Sequence, residues 1–173
     1  AQANLDMNTR QRWDIFCTVV DNYGDIGVCW RLARQLAAEH GLTVRLWVDD
    51  LERFAKLAPS LDPKQDQQQL DSVEIQRWRT LFSQTEPAEV VIEAFACHLP
   101  DSYIAAMAAQ PSKPVWINLE YLSAEDWVED HHSLSSPHSL LPLTKYFYFP
   151  GFSTKSGGLI REAELITQRD AFQ

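Results

Sequence analysis

Short apolar runs alternate along the chain with segments of helical periodicity. The apolar runs predict six strands, at residues 14–20, 43–48, 73–78, 90–96, 114–119 and 145–149. Helical patterns occupy three of the intervals, at residues 26–40, 51–57 and 102–109, and each stops shortly before a glycine or a proline. Strands that alternate with helices form βαβ units. The pattern therefore predicts an α/β fold with an open, mostly parallel sheet and helices on both faces.

The polar segments predict loops and the limits of the domain. Residues 62–69 contain four glutamines and no aliphatic or aromatic residue, which predicts a solvated loop. Ser123, with Asp126 three positions later, predicts the start of a further helix. After an aromatic run at 145–152, residues 153–158 predict a flexible turn, and residues 159–172 have a polar, helix-like pattern. We expect one domain over residues 7–158, a linker or helix toward a second domain at 159–173, and a tag remnant at 1–6.

Composition narrows the class of protein. The chain has 173 residues, of which 45% are hydrophobic and 23% are charged, which is typical of a globular domain. A net charge of −9 argues against nucleic acid as a partner, because phosphates require a basic face. The three cysteines lie in or beside apolar runs, which favours buried reduced thiols in a reducing compartment. No apolar stretch is long enough to span a bilayer, so we expect a cytoplasmic domain without membrane contact.

The candidate chemistry begins at the polar turn of residues 21–27, between the first strand and the first helix. In an open α/β sheet this turn lines the ligand crevice. Asp21 ends an apolar strand and must reach solvent or a partner, whereas Asp25 is explained equally well as a helix N-cap. Gly24 and Gly27 allow a ligand to approach the backbone closely. The turn lacks the first glycine of the dinucleotide fingerprint, and its acids would repel a pyrophosphate, so NAD and FAD are disfavoured.

Acids also follow or interrupt two later strands. Glu93 breaks an apolar run, and burying an acid in a parallel strand costs several kcal/mol unless it is satisfied. If its strand is the fourth of the sheet, Glu93 lies beside the first strand at the crevice; the alternative is a solvated residue on an edge strand. Glu120 and Tyr121 follow the next strand and are expected on the same rim, although Glu120 is also explained as an ordinary loop acid. The histidines have no metal-ligand spacing, so we expect no metal.

Five segments, in order along the chain, resemble a known family. They are FCTVVDNYGDIGVCWRLA at 16–33, VIEAFAC at 91–97, WINLEYLSAE at 116–125, YFYFPGF at 146–152 and GGLIRE at 157–162. The first is quite specific, and together they are similar to the N-terminal part of the EarP family. Members of that family are bacterial arginine rhamnosyltransferases that modify translation elongation factor P.

The resemblance implies a fold, a reaction and roles for residues. The fold is GT-B, with two Rossmann-like domains facing a cleft, and the reaction transfers rhamnose from dTDP-β-L-rhamnose to an arginine of elongation factor P with inversion and without a metal or other cofactor. Family members are considerably longer than this chain, so we expect the N-terminal acceptor-side domain, without the part that holds most dTDP contacts. By resemblance Asp21 is the base or the activator of the acceptor arginine, and Asp25 is also required. The predicted site is completed by acceptor- or donor-binding candidates, namely Asn22, Tyr23, Gly24, Gly27, Glu93, Glu120 and Tyr121.

Two other functions remain open from the sequence. A non-catalytic α/β module could use the same acidic crevice to bind a basic peptide or protein. A glycosyltransferase for a small-molecule acceptor would also carry these acids. We expect the 173-residue chain to fold but not to turn over by itself.

Overall fold

The computed structural model describes residues 10–19, 23–79 and 85–163, and within these ranges the chain forms eight strands and four helices. The strands are β1 Arg12–Cys17, β2 Thr43–Val48, β3 Gln67–Leu70, β4 Val73–Arg77, β5 Val90–Ala94, β6 Val115–Leu119, β7 Ser135–Pro137 and β8 Thr144–Tyr148. The helices are α1 Gly24–Glu39, α2 Leu51–Leu57, α3 Asp101–Ala109 and α4 Trp127–His131. Across the described ranges, no helix has the length and apolar character that a bilayer crossing requires.

All eight strands belong to one sheet, in the order β3-β4-β2-β1-β5-β6-β8-β7. The six inner strands run parallel, and the two outermost strands, β3 and β7, are antiparallel to their neighbours. The chain therefore runs outward from β1 in one direction through β2 and β4, then returns to the other side of β1 through β5. The order reverses between β1 and β5, and this reversal defines the ligand crevice of open α/β sheets. The predicted mostly parallel sheet is confirmed.

Side chains of alternating direction along each strand build two cores, one on each face. Ile15 and Leu46 lie in the core that contains Ile26 of α1 and Phe54 of α2. Phe16 and its neighbours lie in the second core, which contains residues of α3. Both faces are therefore covered by helices, as predicted.

A buried ionic cluster lies near the amino ends of the strands. The Asp14 side chain is fully buried, and Arg45 donates to both its oxygens at 2.6 and 2.7 Å. The Tyr103 hydroxyl donates to Asp14 Oδ2 at 2.5 Å, and the Trp47 indole N–H donates at 3.2 Å to Oδ1. Burial and then the charge of Asp14 raise the pKa of Tyr103, so the phenol stays a neutral donor. A charge this deep needs such satisfaction, and the cluster links β1, β2 and α3.

The prediction of a loop at residues 62–69 is wrong for its last three residues, which belong to β3. Gln67 to Leu70 pairs antiparallel with β4 through a two-residue turn at Asp71 and Ser72, both with positive φ. A two-residue hairpin loop with positive φ at both positions matches the twist of the strands it joins. Polar residues are tolerated here because β3 is an edge strand, where their side chains and one backbone edge meet water.

Three other predicted boundaries need correction. Ser123 does not cap a helix: α4 begins at Trp127 after the N-cap residue Asp126, and Ser123 Oγ accepts the Glu125 N–H at 3.1 Å in a local turn. The strand predicted at 90–96 ends at Ala94, because residues 95 and 96 have φ of 53°. The tail predicted as helix-like has no helix at 159–163, and its remainder lies outside the described residues. The short strand β7 has no apolar pattern and was not predicted.

Candidate functional site

Loops that follow β1, β5 and β6 meet at the carboxyl edge of the sheet, beside the reversal of strand order. β1 pairs with both β2 and β5, so the start of α1 lies above this reversal. Helix α1 begins at Gly24 after the N-cap residue Tyr23, and the Gly27 N–H donates to the Tyr23 carbonyl at 2.9 Å. The Val19 N–H donates to Asp49 Oδ1 at 2.8 Å, which fixes the start of the segment that leaves β1. The predicted catalytic Asp21 and its neighbour Asn22 lie outside the described residues.

Asp25 lies in the first turn of α1 and does not cap it. The N-cap position belongs to Tyr23, whose own side chain makes no capping hydrogen bond. The Asp25 carboxylate instead accepts a hydrogen bond at Oδ2 from the Tyr121 hydroxyl, at 2.9 Å. Capping of α1 by Asp25 was therefore the wrong explanation. The dipole of α1 still stabilises the negative charge of Asp25, because the residue lies at the amino end of the helix. This stabilisation leaves the carboxylate oxygens able to accept further hydrogen bonds.

Tyr121 is fixed from two directions. Its ring stacks on Phe95, with centroids 4.3 Å apart and an interplanar angle of 16°. Partial burial, followed by the hydrogen bond to Asp25, raises the pKa of Tyr121 to about 12. At neutral pH the phenol is therefore protonated and acts as a donor to the carboxylate.

Glu93 lies near the carboxyl end of β5, opposite Phe16 of β1. The side chain is only 2% exposed, and the Lys145 ammonium contacts Oε2 at 2.9 Å. The Leu99 N–H donates to the other oxygen at 3.1 Å. Glu93 is therefore not a solvated residue of an edge strand; it belongs to β5, which pairs with β1, as expected if its strand lies beside the first strand. Both carboxylate oxygens are occupied by partners of the protein itself, so the residue anchors β5 to β8 and to the loop before α3.

Glu120 lies on the rim and contacts Asn118, a buried residue that was not predicted as part of the site. The fully buried Asn118 accepts the Ala96 N–H at Oδ1 and donates from Nδ2 to Glu120 Oε1, at 3.1 and 2.5 Å. The Glu120 N–H donates to the Tyr148 carbonyl at 2.9 Å. An amide inside the apolar run of β6 was the available signal for Asn118. Its role is to hold the loops after β5 and β6 together.

The glycines and Tyr23 of the predicted site have different surroundings. Tyr23 is 40% exposed at the start of α1, next to Gly24. Among the described residues, a Cβ placed on Gly27 would meet Leu57 Cδ1 at 4.0 Å, an ordinary contact, so packing against this part of the chain does not require glycine there. The structure therefore brings Tyr23, Gly24, Asp25 and Tyr121 to one edge and leaves the ligand contacts of all the candidates as predictions.

Thiol and metal chemistry receive no support from the described geometry. The three cysteines are free, and burial raises the pKa of Cys97. A thiol with a raised pKa, such as that of Cys97, is a poor nucleophile at neutral pH. Over residues 10–19, 23–79 and 85–163, no three His, Cys, Asp or Glu side chains converge as metal ligands do. What the described site offers is a carboxylate at a helix start beside an oriented phenol, an arrangement suited to binding a cation or accepting a proton.

Comparison with known proteins identifies the relatives of this chain. Residues 13–173 match the family model described as elongation factor P rhamnosyltransferase EarP. The chain belongs to the EarP family. It is 58% identical over 161 residues to the protein-arginine rhamnosyltransferase of Pseudomonas putida, a match that covers 93% of this chain and 42% of that protein. The corresponding proteins of Pseudomonas aeruginosa and Shewanella oneidensis are 55% and 53% identical, over 93% of this chain and 43% and 42% of their own lengths.

The EarP relatives are much longer than the described domain. The chain spans about 42% of the length of the P. putida protein, so these 173 residues correspond to less than half of such a polypeptide. The resemblance noted from the sequence motifs is confirmed, as is the α/β fold.

Proposed function

We propose that this chain is the acceptor-side part of a cytoplasmic, inverting protein-arginine rhamnosyltransferase. The complete protein transfers rhamnose from dTDP-β-L-rhamnose to one arginine of translation elongation factor P, without a metal. The observation that carries the proposal is the membership of the EarP family combined with an acidic turn at the reversal of strand order. Relatives named protein-arginine rhamnosyltransferase support the reaction class.

The chemistry of the acceptor explains why acids are needed at this edge. A guanidinium is protonated at neutral pH and its nitrogens are poor nucleophiles. Carboxylates bind it through charge-assisted hydrogen bonds, which localise its charge and orient one nitrogen. Asp25, at the start of α1, supplies one carboxylate, and Asp21, four residues earlier in the same turn, supplies the second.

The proposed transfer forms one bond, breaks one bond and moves one proton. One guanidinium nitrogen attacks the anomeric carbon of rhamnose, and the bond between that carbon and the diphosphate oxygen breaks. Asp21 takes the proton that the nitrogen loses, and dTDP leaves with the electron pair of the broken bond. Attack from the side opposite to the leaving group inverts the anomeric centre. Donors that stabilise the diphosphate come from the remaining part of the longer polypeptide, so the 173-residue chain alone is inactive.

The test uses the full-length protein with dTDP-rhamnose and elongation factor P, followed by intact mass and peptide mapping. Wild-type protein is expected to add one deoxyhexose to an arginine. Asp21→Asn is expected to lower turnover by on the order of 10²-fold or more. Asp130→Asn, an exposed acid of α4 outside the site, is the matched control and should retain activity.

The outcomes separate the competing functions. Release of dTDP without a mass change on elongation factor P means that rhamnose passes to water, and would show a donor-using enzyme whose acceptor is a different molecule. No consumption of the donor under any condition indicates a binding module. Near-normal turnover of Asp21→Asn would remove that residue from the role of base, and a loss confined to Asp25→Asn would transfer the role to Asp25.

A further inference from the structure

Tyr121 is the residue whose contacts bear most directly on the acidic turn. It follows β6, whereas Asp25 belongs to α1, and the two residues are 96 positions apart in the sequence. The hydroxyl nevertheless donates to Asp25 Oδ2 at 2.9 Å, although half of the Tyr121 surface remains exposed. A side chain at a rim does not hold one geometry unless other groups support it.

The Tyr121 ring is supported by a loop of unusual backbone conformation. Phe95, which stacks on the ring, has φ of 53°, and so has Ala96. L residues without a glycine's freedom adopt this region rarely, and only when the surroundings fix them. Here the Phe95 N–H donates to the Leu119 carbonyl at 2.7 Å and the Ala96 N–H donates to Asn118 Oδ1 at 3.1 Å.

These contacts form one continuous support. Buried Asn118 fixes the backbone of the loop after β5, the loop presents the Phe95 ring, and the ring holds Tyr121 against Asp25. We propose that Tyr121 is a positioning residue: its hydroxyl orients the Asp25 carboxylate toward the acceptor guanidinium and leaves the other oxygen, Oδ1, to bind it. The inference rests on the proposed function. It assigns Tyr121 a role through Asp25 in place of the direct ligand contact that the sequence predicted.

The phenol suits this role because it remains a donor. The pKa of Tyr121 is raised to about 12, by burial first and by Asp25 second, so the hydrogen bond persists across the neutral range. A neutral donor orients the carboxylate and leaves its negative charge in place, whereas a lysine or arginine at this point would compete with the substrate guanidinium for that charge.

The experiment is a double-mutant cycle in the full-length protein, with kcat and KM for elongation factor P measured separately. Tyr121→Phe keeps the ring on Phe95 and removes only the hydroxyl. It is expected to lower kcat by about 10-fold, the worth of one hydrogen bond to a charged group, with a smaller change in KM. In the Asp25→Asn background the same substitution is expected to have no further effect, because the group through which it acts has lost its charge. Tyr146→Phe, which removes an exposed hydroxyl on β8, is the control and should be neutral.

A second readout does not depend on turnover. In full-length protein with ¹³C-labelled tyrosine, the phenol pKa of Tyr121 should be lower in Asp25→Asn than in wild type, because the contact with a charged carboxylate is one cause of its rise. An unchanged value would show that the contact is absent and would overturn the inference. Losses that add in the double variant would also overturn it, since Tyr121 would then act independently of Asp25. A wild-type protein that transfers no rhamnose would instead overturn the proposed function, and the inference with it.

Discussion

Replacing Lys145 by Met should strongly destabilise the domain, because it leaves a buried carboxylate without its cation. Glu93 is 2% exposed, and its partners are the Lys145 ammonium at 2.9 Å and the Leu99 N–H at 3.1 Å. Methionine fills a similar volume beside the Trp116 and Phe147 rings, which the Lys145 ammonium approaches to 5.0 and 5.7 Å. The loss is therefore mainly electrostatic. Breaking a buried pair in this way costs about 3–5 kcal/mol.

Urea unfolding of the 173-residue chain, followed by circular dichroism, measures this loss. With a slope of about 2 kcal/mol per molar urea, 3 kcal/mol lowers the midpoint by about 1.5 M. Adding Glu93→Gln to Lys145→Met should recover most of the loss, because glutamine removes the charge and keeps an acceptor for Leu99. Lys155→Met, in the exposed pair with Glu129 at 3.9 Å, is the control and should change stability by less than about 1 kcal/mol. A Lys145→Met variant as stable as that control would refute the reasoning.

Two further predictions concern other parts of the molecule. Tyr103→Phe removes a donor to buried Asp14 and should destabilise the chain by about 1–3 kcal/mol in the same urea assay, whereas an unchanged midpoint would mean that the hydroxyl contributes nothing to the cluster. The second is that acid releases residues 161–163 from α1. The hydrogen bonds from Arg31 lower the pKa of Glu162 below its ordinary value of 4.5. The stabilisation from this ion pair is therefore fully present above pH 4.5 and is lost as the pH falls through the lowered pKa. The protection factor of the Ala163 amide, which removes the intrinsic pH dependence of exchange, should fall below that pH in wild type, and a protection factor that does not change with pH would contradict the prediction.

The order of the parallel elements could be predicted from the sequence because apolar runs and helical patterns alternate cleanly. The predicted bounds of the second strand and second helix, 43–48 and 51–57, agree with β2 and α2. The hairpin of β3 was not predictable in this way, since its residues are polar and its turn has no glycine. Edge strands carry little hydrophobic signal when their side chains are only partly covered, and those of β3 alternate between exposed and half-buried.

The candidate site was predictable in location but not in detail. An acidic turn after the first strand indicated the crevice, and β5 was correctly placed beside β1. The positive φ of Phe95 and the contact between Tyr121 and Asp25 were not predictable, because both depend on residues far apart in sequence. Glu93 shows the same limit: an acid in an apolar run indicated a partner, and only the fold identified that partner as Lys145.

The most direct test of the account is a calorimetric titration of the 173-residue chain with unmodified elongation factor P, at low and at moderate salt. The account predicts saturable binding that weakens as salt rises, because carboxylates recognise a cationic side chain. Replacing both Asp21 and Asp25 by Asn should weaken binding relative to wild type at the same salt. Circular dichroism that matches wild type would show that the double variant is folded. Absence of saturable binding, or undiminished binding by the double variant, would contradict the claim that this chain holds the acceptor arginine.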